Sequence, residues 1–196
     1  MPRAAWTGTI SLELMNLPAQ LVPMSKGESL QELIHDLKVQ YETERERSSK
    51  TDVPGLRKIR SARYFLSATE NLPLPYPQPH VVSIVRSIDP NDLNAAAIAQ
   101  QYVVVPSKGA LHAFVLFIDA LAKLHRTEIG VIELRRQARL CAMSVDDGAL
   151  ILSTLQSPSE LSTDKSFAKR NLNPSLRTLI DDFERAVKEH NLKDAG

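Results

Sequence analysis

The chain has 196 residues, a formal net charge of +1, 43% hydrophobic residues and one cysteine. This length allows one domain with a full hydrophobic core, and a single cysteine excludes an internal disulfide or a cysteine-rich zinc site. No apolar run approaches the ~20 residues of a membrane span. We therefore expect a protein of the reducing cytoplasm without membrane contact. Because the net charge is near zero, a nucleic-acid-binding surface would have to concentrate positive charge locally.

Two alternating runs at the start of the chain predict a β-hairpin. Apolar and small residues alternate with polar ones from Trp6 to Leu14, which is the period of a half-buried strand. Asn16-Leu17-Pro18 interrupts the pattern before a second run. Pro18 and Pro23 cannot donate a backbone N–H, so this second strand is expected at a sheet edge.

A helix is predicted next, from about residue 29 into the forties. Ser29 and Glu32 form a capping box, and the apolar residues that follow at helical spacing are Leu30, Leu33, Ile34, Leu37 and Tyr41. The helix gives way to a polar stretch that Pro54-Gly55 interrupts with a turn signal. Four prolines between residues 71 and 80 then predict an extended crossing that cannot be a central strand.

The second half of the chain predicts five strands and two helices. The β-rich runs are 80–89, 101–106, 128–136, 138–145 and 149–155. A helix is expected after the second run, opening at Ser107 or Lys108-Gly109, and Asp146-Asp147-Gly148 predicts a hairpin turn between the last two runs. The chain closes with a helix that Asn173 caps and that has Pro174 in its first turn.

Two stretches concentrate the positive charge. Residues 45–63 carry seven basic side chains against two acidic ones, and a second group of arginines lies at 135–139. The candidate phosphate-contacting residues are Arg45, Arg47, Lys50, Arg57, Lys58, Arg60, Arg63, Arg135, Arg136 and Arg139. Such runs are also typical of solvated helix faces and loops, and the sequence leaves both interpretations open.

The sequence offers no catalytic or cofactor-binding motif. Its seven glycines are scattered and form no phosphate-cradling loop. Serine, histidine and aspartate follow no known triad order, and the histidines lack paired metal-ligand spacing. We therefore expect no enzyme activity, no cofactor and no metal. The last helix has an apolar stripe that is either a partner-binding surface or a packing face: Leu176, Leu179, Ile180 and Phe183.

Several motifs occur in the order found in one known family. The opening hairpin presents Trp6, Gly8, Ile10, Ser11, Asn16, Leu17 and Pro18. An Ile88-Asp89-Pro90 triplet, a strand from Tyr102 to Pro106 and a strand beginning Ile129-Gly130 follow, and the last strand contributes Leu150, Leu152, Thr154 and Leu155. Taken together, residues 1–25 and 81–161 resemble the Ku family of DNA-end-binding proteins, in its short prokaryotic and phage form.

The resemblance implies a fold that is mixed but mainly β. A Ku-like β-barrel core would span 1–161, with an extended DNA-encircling arm inserted at about 45–79, and 162–196 would form a linker and a C-terminal helix. It further implies a non-catalytic homodimeric ring through which a double-stranded DNA end threads. The associated processes would be non-homologous end joining, double-strand break repair and DNA recombination, or end protection, at the cytoplasmic nucleoid.

The chain departs from the family pattern in two regions. Paired cysteines that suggest a zinc ribbon in many relatives are absent here, so the resemblance implies no metal. After the last strand, the sequence QSPSELST replaces the usual family pattern and no lysine-rich tail follows. Recruitment of an ATP-dependent DNA ligase depends in the family on this region.

A second interpretation comes from a different class of protein. Related barrels bind acidic or phosphorylated peptides, and a fold alone does not fix a function. In that case Arg135, Arg136 and Arg139 would hold a phosphate through bidentate contacts.

Overall fold

Seven strands form a closed barrel within the part of the chain that the computed structural model describes, residues 3–12, 15–24, 28–50, 74–156 and 173–194. The strands are β1 (Trp6–Leu12), β2 (Met15–Pro23), β3 (Val81–Ile88), β4 (Ile98–Pro106), β5 (Thr127–Leu134), β6 (Gln137–Asp146) and β7 (Ala149–Leu155). Their order around the barrel is β1-β2-β4-β7-β6-β5-β3. The closing pair, β1 with β3, is parallel, and the other pairs are antiparallel. The predicted mixed, mainly β fold class is confirmed.

Strand β2 lies between β1 and β4, so the prediction that it forms a sheet edge is wrong. Its prolines are tolerated because their nitrogens, which carry no hydrogen, point past the ends of the neighbouring strands. The Pro18 carbonyl accepts the N–H of Ser107 (2.9 Å), which follows the end of β4. Along a strand, successive backbone polar groups point alternately to its two neighbours. The Pro23 nitrogen therefore points toward the β1 side, beyond Trp6, the first residue of that strand.

Inward-facing side chains from every strand fill the barrel. One fully buried member from each strand, in chain order, is Ile10, Leu17, Val82, Val104, Ile132, Met143 and Leu152. Cys141 is also fully buried in this core, as expected for a small apolar packing residue, and its burial raises the pKa of the thiol to about 12. The alternation of inward and outward residues follows from the two-residue period of a strand, and register shifts interrupt it in β3 and β4.

The seam between β1 and β3 requires a glycine at position 8. The Thr9 N–H donates to the His80 carbonyl at 2.9 Å, which holds the two strands together. A Cβ atom at Gly8 would lie 2.1 Å from the same carbonyl oxygen. Any side chain at this position would therefore force the seam apart.

Two helices cover one side of the barrel. Helix α1 (Glu28–Lys50) begins one residue before the predicted Ser29, and helix α2 (Leu111–Leu124) connects β4 to β5. Leu33, Leu37 and Tyr41 of α1 are buried in the same core cluster as the apolar side chains of α2 and of the barrel. Of the described helices, none has the length and apolar character needed to cross a membrane.

Helix α3 (Pro174–Asp194) packs on a different outer face of the barrel. The Asn173 side chain accepts the N–H of Ser175 (2.9 Å), which confirms the predicted N-cap. The stripe named as a candidate partner surface is buried in a cluster with the barrel: Leu176, Leu179, Ile180 and Phe183. Ile129, Val131 and Leu140 are among the barrel residues in that cluster. The packing role therefore describes this structure, and a partner contact through the stripe would require α3 to leave the barrel.

The predicted arm at 45–79 coincides only in part with the described residues. Helix α1 continues to Lys50, so the first six positions of the predicted arm are helical. Residues 74–78 carry no helix or strand, as the proline pattern indicated. Residues 51–73, where most of the predicted arm falls, lie outside the described residues.

Candidate nucleic-acid interface

The β5–β6 hairpin carries three of the candidate phosphate-contacting residues. Leu134 pairs with Gln137, so Arg135 and Arg136 form a two-residue turn. Their φ angles are 53° and 63°. Turns with two positive φ angles favour Asn and Gly, and an L-residue in the left-handed region costs roughly 1–2 kcal/mol. The turn is therefore strained, and strain of this kind concentrates at functional sites.

The three arginines of the hairpin line two separate cavities. Arg135 lines a pocket of about 180 Å³, which we call the mouth pocket. Arg136 lines a groove of about 480 Å³ beside α3, which we call the α3 groove. Arg139 contributes to both cavities. The hairpin tip therefore divides its positive charge between two concave surfaces.

The mouth pocket lies at the barrel end where β7 ends and β4 begins. The Tyr102 hydroxyl donates to Gln100 Oε1 at 2.9 Å. Arg139 Nη2 donates to Gln137 Oε1 at 3.0 Å. These two amide oxygens hold a phenol and a guanidinium at the rim of the barrel interior, next to Arg135.

The mouth pocket has a positive electrostatic character. Its described lining contains two arginines and no carboxylate; the remaining lining residues are uncharged. Burial raises the pKa of the Tyr102 phenol, and the positive charges of Arg135 and Arg139 lower it in part. The pocket therefore favours an anion over a neutral or cationic ligand.

The α3 groove combines an apolar floor with a mixed charged rim. Leu140 and Leu155 of the barrel and Phe183 of α3 contribute to the floor. Arg136 and Lys188 supply positive charge, and Glu184 supplies a carboxylate. This mixed rim makes the groove less selective for anions than the mouth pocket.

Helix α1 carries three of the candidate residues, and the first of them forms an ion pair with helix α2. Arg45 Nη2 contacts Asp119 Oδ1 of α2 at 2.7 Å, and Arg45 Nε donates to the same carboxylate. We therefore leave Arg45 out of the interface. Arg47 is exposed and lies 3.8 Å from Glu44, and Lys50 is the last residue of α1. The remaining four candidates lie outside the described residues: Arg57, Lys58, Arg60 and Arg63.

A buried charged cluster lies near the opposite end of the barrel. Glu128 is fully buried, and its Oε1 accepts the Ser87 hydroxyl at 2.8 Å. Arg126 Nε donates to the same hydroxyl oxygen at 2.9 Å. Burial raises the pKa of Glu128 to about 7, against smaller opposing effects of Ser87 and Arg126. Glu128 Oε2 has no hydrogen-bond partner among the described residues.

Sequence reasoning identified the arginines but not the polar residues that frame them. Gln100, Gln137 and Thr154 have no distinctive spacing along the chain, and they meet only because β4, β6 and β7 are neighbours in the barrel. Glu128 was detectable in principle, since the alternate positions that follow it on the same face of the strand are Gly130, Ile132 and Leu134, none of them polar. In the described part of the chain, no cluster of three or more His, Cys, Asp or Glu side chains could hold a metal ion.

The fold and the site define a small β-barrel protein with a basic hairpin at one end. No protein-family model matches the chain. It is 26% identical to non-homologous end joining protein Ku 1 of Geotalea uraniireducens, over 91% of this chain and 76% of that protein. It is 25% identical to the Ku protein of Archaeoglobus fulgidus and 24% identical to that of Opitutus terrae, over 78% and 81% of this chain.

These matches run through most of the sequence and support a Ku family protein. They agree with the resemblance carried by the ordered motifs. The chain spans 64% of the length of the Archaeoglobus protein and 60% of the Opitutus protein. The names of these relatives designate end-joining proteins and no enzyme.

Proposed function

We propose that the chain is a non-catalytic protein that binds double-stranded DNA ends in non-homologous end joining or in end protection. The observation that carries this proposal is the similarity to curated proteins named for non-homologous end joining, across 78–91% of the chain. A homodimeric ring threaded by the duplex, a nucleoid location and an ATP-dependent DNA ligase as partner belong to the same proposal.

The geometry of the hairpin supports contact with phosphates. Arg135 and Arg136 are exposed at the tip of a rigid two-residue turn, and Arg139 follows on β6. Guanidinium groups bind phosphate oxygens bidentately, and contacts to the DNA backbone position a protein without reading sequence. Arg47, Lys50, Arg57, Lys58, Arg60 and Arg63 would extend this basic surface along the chain.

A competition experiment tests whether DNA ends are the ligand. A labelled linear duplex is bound to the protein and challenged with equal masses of unlabelled linear or covalently closed circular DNA. We expect only the linear competitor to displace the protein, because a closed circle offers no end. Equal competition by both forms would contradict end binding and would indicate a generic basic surface.

Charge-neutralising variants test where the phosphates bind. The triple variant Arg135→Gln, Arg136→Gln, Arg139→Gln should weaken binding and flatten its salt dependence. The log–log slope should decrease by about 0.9 for each phosphate that the variant no longer neutralises. A matched control removes three positive charges elsewhere through Lys108→Gln, Lys123→Gln and Arg177→Gln, all at exposed positions. Equal weakening in both variants would argue against a localised interface at the hairpin.

A second set of variants tests the predicted arm. Reversal of Arg57, Lys58, Arg60 and Arg63 to Glu should abolish DNA binding without unfolding the barrel, because charged side chains are almost never fully buried unless they are paired. Unchanged affinity in a folded variant would remove the arm from the proposal.

Oligomeric state separates the proposed function from peptide binding. Sedimentation with and without a linear duplex should reveal a dimer on DNA. A monomer that ignores duplex DNA and binds phosphorylated peptides would contradict the proposal.

A further inference from the structure

The mouth pocket is suited to a single small anionic group. Its volume of about 180 Å³ is well above the ~10–15 Å³ that one water molecule requires. This space is sufficient for a phosphate group. Mouths of β-barrels are also common ligand sites.

We propose that the mouth pocket binds the terminal phosphate of a DNA strand. This inference rests on the proposed function and narrows it from duplex ends in general to phosphorylated ends. An internal phosphate is attached to the strand on both sides, which restricts how deeply it can enter a concave pocket. A terminal phosphate has one attachment and can enter from the open end of the barrel.

The charge of the pocket matches a phosphate monoester. Arg135 and Arg139 contribute two positive charges, and no acidic side chain is among the described lining residues. A phosphate monoester carries a charge of about −1.5 to −2 at pH 7, whereas each internal phosphate of DNA carries one negative charge. The pocket therefore compensates a terminal phosphate more fully than it would a backbone phosphate.

The residues that line the pocket make hydrogen bonds to one another before a ligand arrives. Gln137 accepts a hydrogen bond from Arg139, and Gln100 accepts one from the Tyr102 hydroxyl. Tyr102 has a relative exposure of only 5%, so its position is fixed by the barrel. The two-residue turn sets the backbone of Arg135, and its side chain is exposed. Donors that need little rearrangement lose little entropy on binding, and partial burial strengthens charge-assisted hydrogen bonds.

The test compares DNA ends that differ only in their phosphate. Short hairpin duplexes with one open end are prepared with a 5′-phosphate, with a 3′-phosphate, or with hydroxyl groups at both termini. Fluorescence anisotropy gives Kd for each duplex. The readout is the ratio of Kd for the hydroxyl end to Kd for the phosphorylated end, measured within each protein variant. We expect a ratio of about ten in the unmodified protein for at least one phosphorylated terminus, because hydrogen bonds to a charged group contribute substantially.

Adjacent arginines provide a matched control for the loss of charge. Arg135→Gln and Arg139→Gln should reduce the ratio to about one, since they remove the charges that face the phosphate. Arg136→Gln removes the same charge from the same turn but lines the α3 groove, so the ratio should be retained. Circular dichroism establishes that each variant is folded. If Arg139→Gln does not fold, Arg135→Gln alone is compared with Arg136→Gln, its neighbour in the same turn.

Several outcomes would overturn the inference. A ratio near one in the unmodified protein, with end-specific binding intact, refutes the terminal-phosphate site and leaves the proposed function standing. A ratio that survives Arg135→Gln and Arg139→Gln, or that falls equally in Arg136→Gln, places phosphate recognition elsewhere. Failure to bind any duplex refutes the proposed function and this inference with it. Under that result, binding of a phosphoserine peptide would assign the pocket to a protein ligand.

Discussion

Replacement of Glu128 by Gln should remove a pH dependence from the stability of the barrel. The carboxyl group is fully buried and hydrogen-bonded to Ser87, and burial raises its pKa from 4.5 to about 7. A raised pKa means that the folded state favours the protonated acid. The stabilisation that protonated Glu128 gives to the folded state is therefore complete below pH 4.5 and is lost as the pH rises through 7.

The magnitude follows from these two pKa values, 4.5 and about 7. Each unit of pKa difference corresponds to about 1.4 kcal/mol, so ionisation of Glu128 costs about 3 kcal/mol in total. Between pH 5 and pH 8, about 2 kcal/mol of this cost is incurred. A glutamine keeps an oxygen that can accept the Ser87 hydroxyl but never ionises. Glu128→Gln should therefore gain about 2 kcal/mol relative to the unmodified protein on going from pH 5 to pH 8.

Urea unfolding at pH 5 and pH 8 measures this difference. Trp6 is the single tryptophan and is buried, so its fluorescence reports on the barrel. Glu133→Gln removes a carboxylate from the outer face of the same strand and controls for the change in net charge. If the unmodified protein and Glu128→Gln changed stability in parallel between the two pH values, the reasoning from burial would be refuted.

Three further substitutions test the strain, the seam and an unpartnered hydroxyl. Replacing Arg135-Arg136 by Asn-Gly should raise the free energy of unfolding by about 1–2 kcal/mol and weaken DNA binding. Urea titration measures the stability and fluorescence anisotropy measures the binding. A loss of stability would contradict the assignment of strain. Gly8→Ala should lower the free energy of unfolding by about 3 kcal/mol or more, because the alanine Cβ would lie 2.1 Å from the His80 carbonyl oxygen. An unchanged midpoint of thermal unfolding would show that β1 and β3 can move apart without loss of stability. Tyr41→Phe should leave stability unchanged or raise it by about 1 kcal/mol, because the buried hydroxyl has no partner among the described residues; a marked loss in thermal unfolding would mean that the hydroxyl is satisfied.

Local sequence signals predicted the strands and helices well but not every turn. The hairpin between β6 and β7 was predictable because Asp147 and Gly148 are residues that tolerate the positive φ angles observed there. The turn at Arg135 and Arg136 has the same sign of φ, but arginine carries no turn preference. Local residue preferences therefore could not predict this turn from one sequence.

The placement of elements relative to one another was less accessible. Pro18 and Pro23 indicated an edge strand, yet whether a missing N–H matters depends on where the neighbouring strands end. The stripe on α3 was visible as a pattern, but its amphipathicity did not reveal which surface covers it. Likewise, Arg139 was recognised as basic from the sequence, while its position beside Tyr102 depends on the order of β4, β7 and β6.

The parallel seam has a consequence for the evolution of the chain. Residue 9 pairs with residue 81, so the chain between β2 and β3 connects two elements that must meet. The entropy lost on closing a flexible loop grows only logarithmically, and doubling its length costs about 0.6 kcal/mol. Residues inserted between α1 and β3 should thus add little thermodynamic cost, whereas α1 itself contributes buried residues to the core and cannot be shortened as freely. A longer connection should instead lower the rate of folding, because pairing between residues distant in sequence is slow.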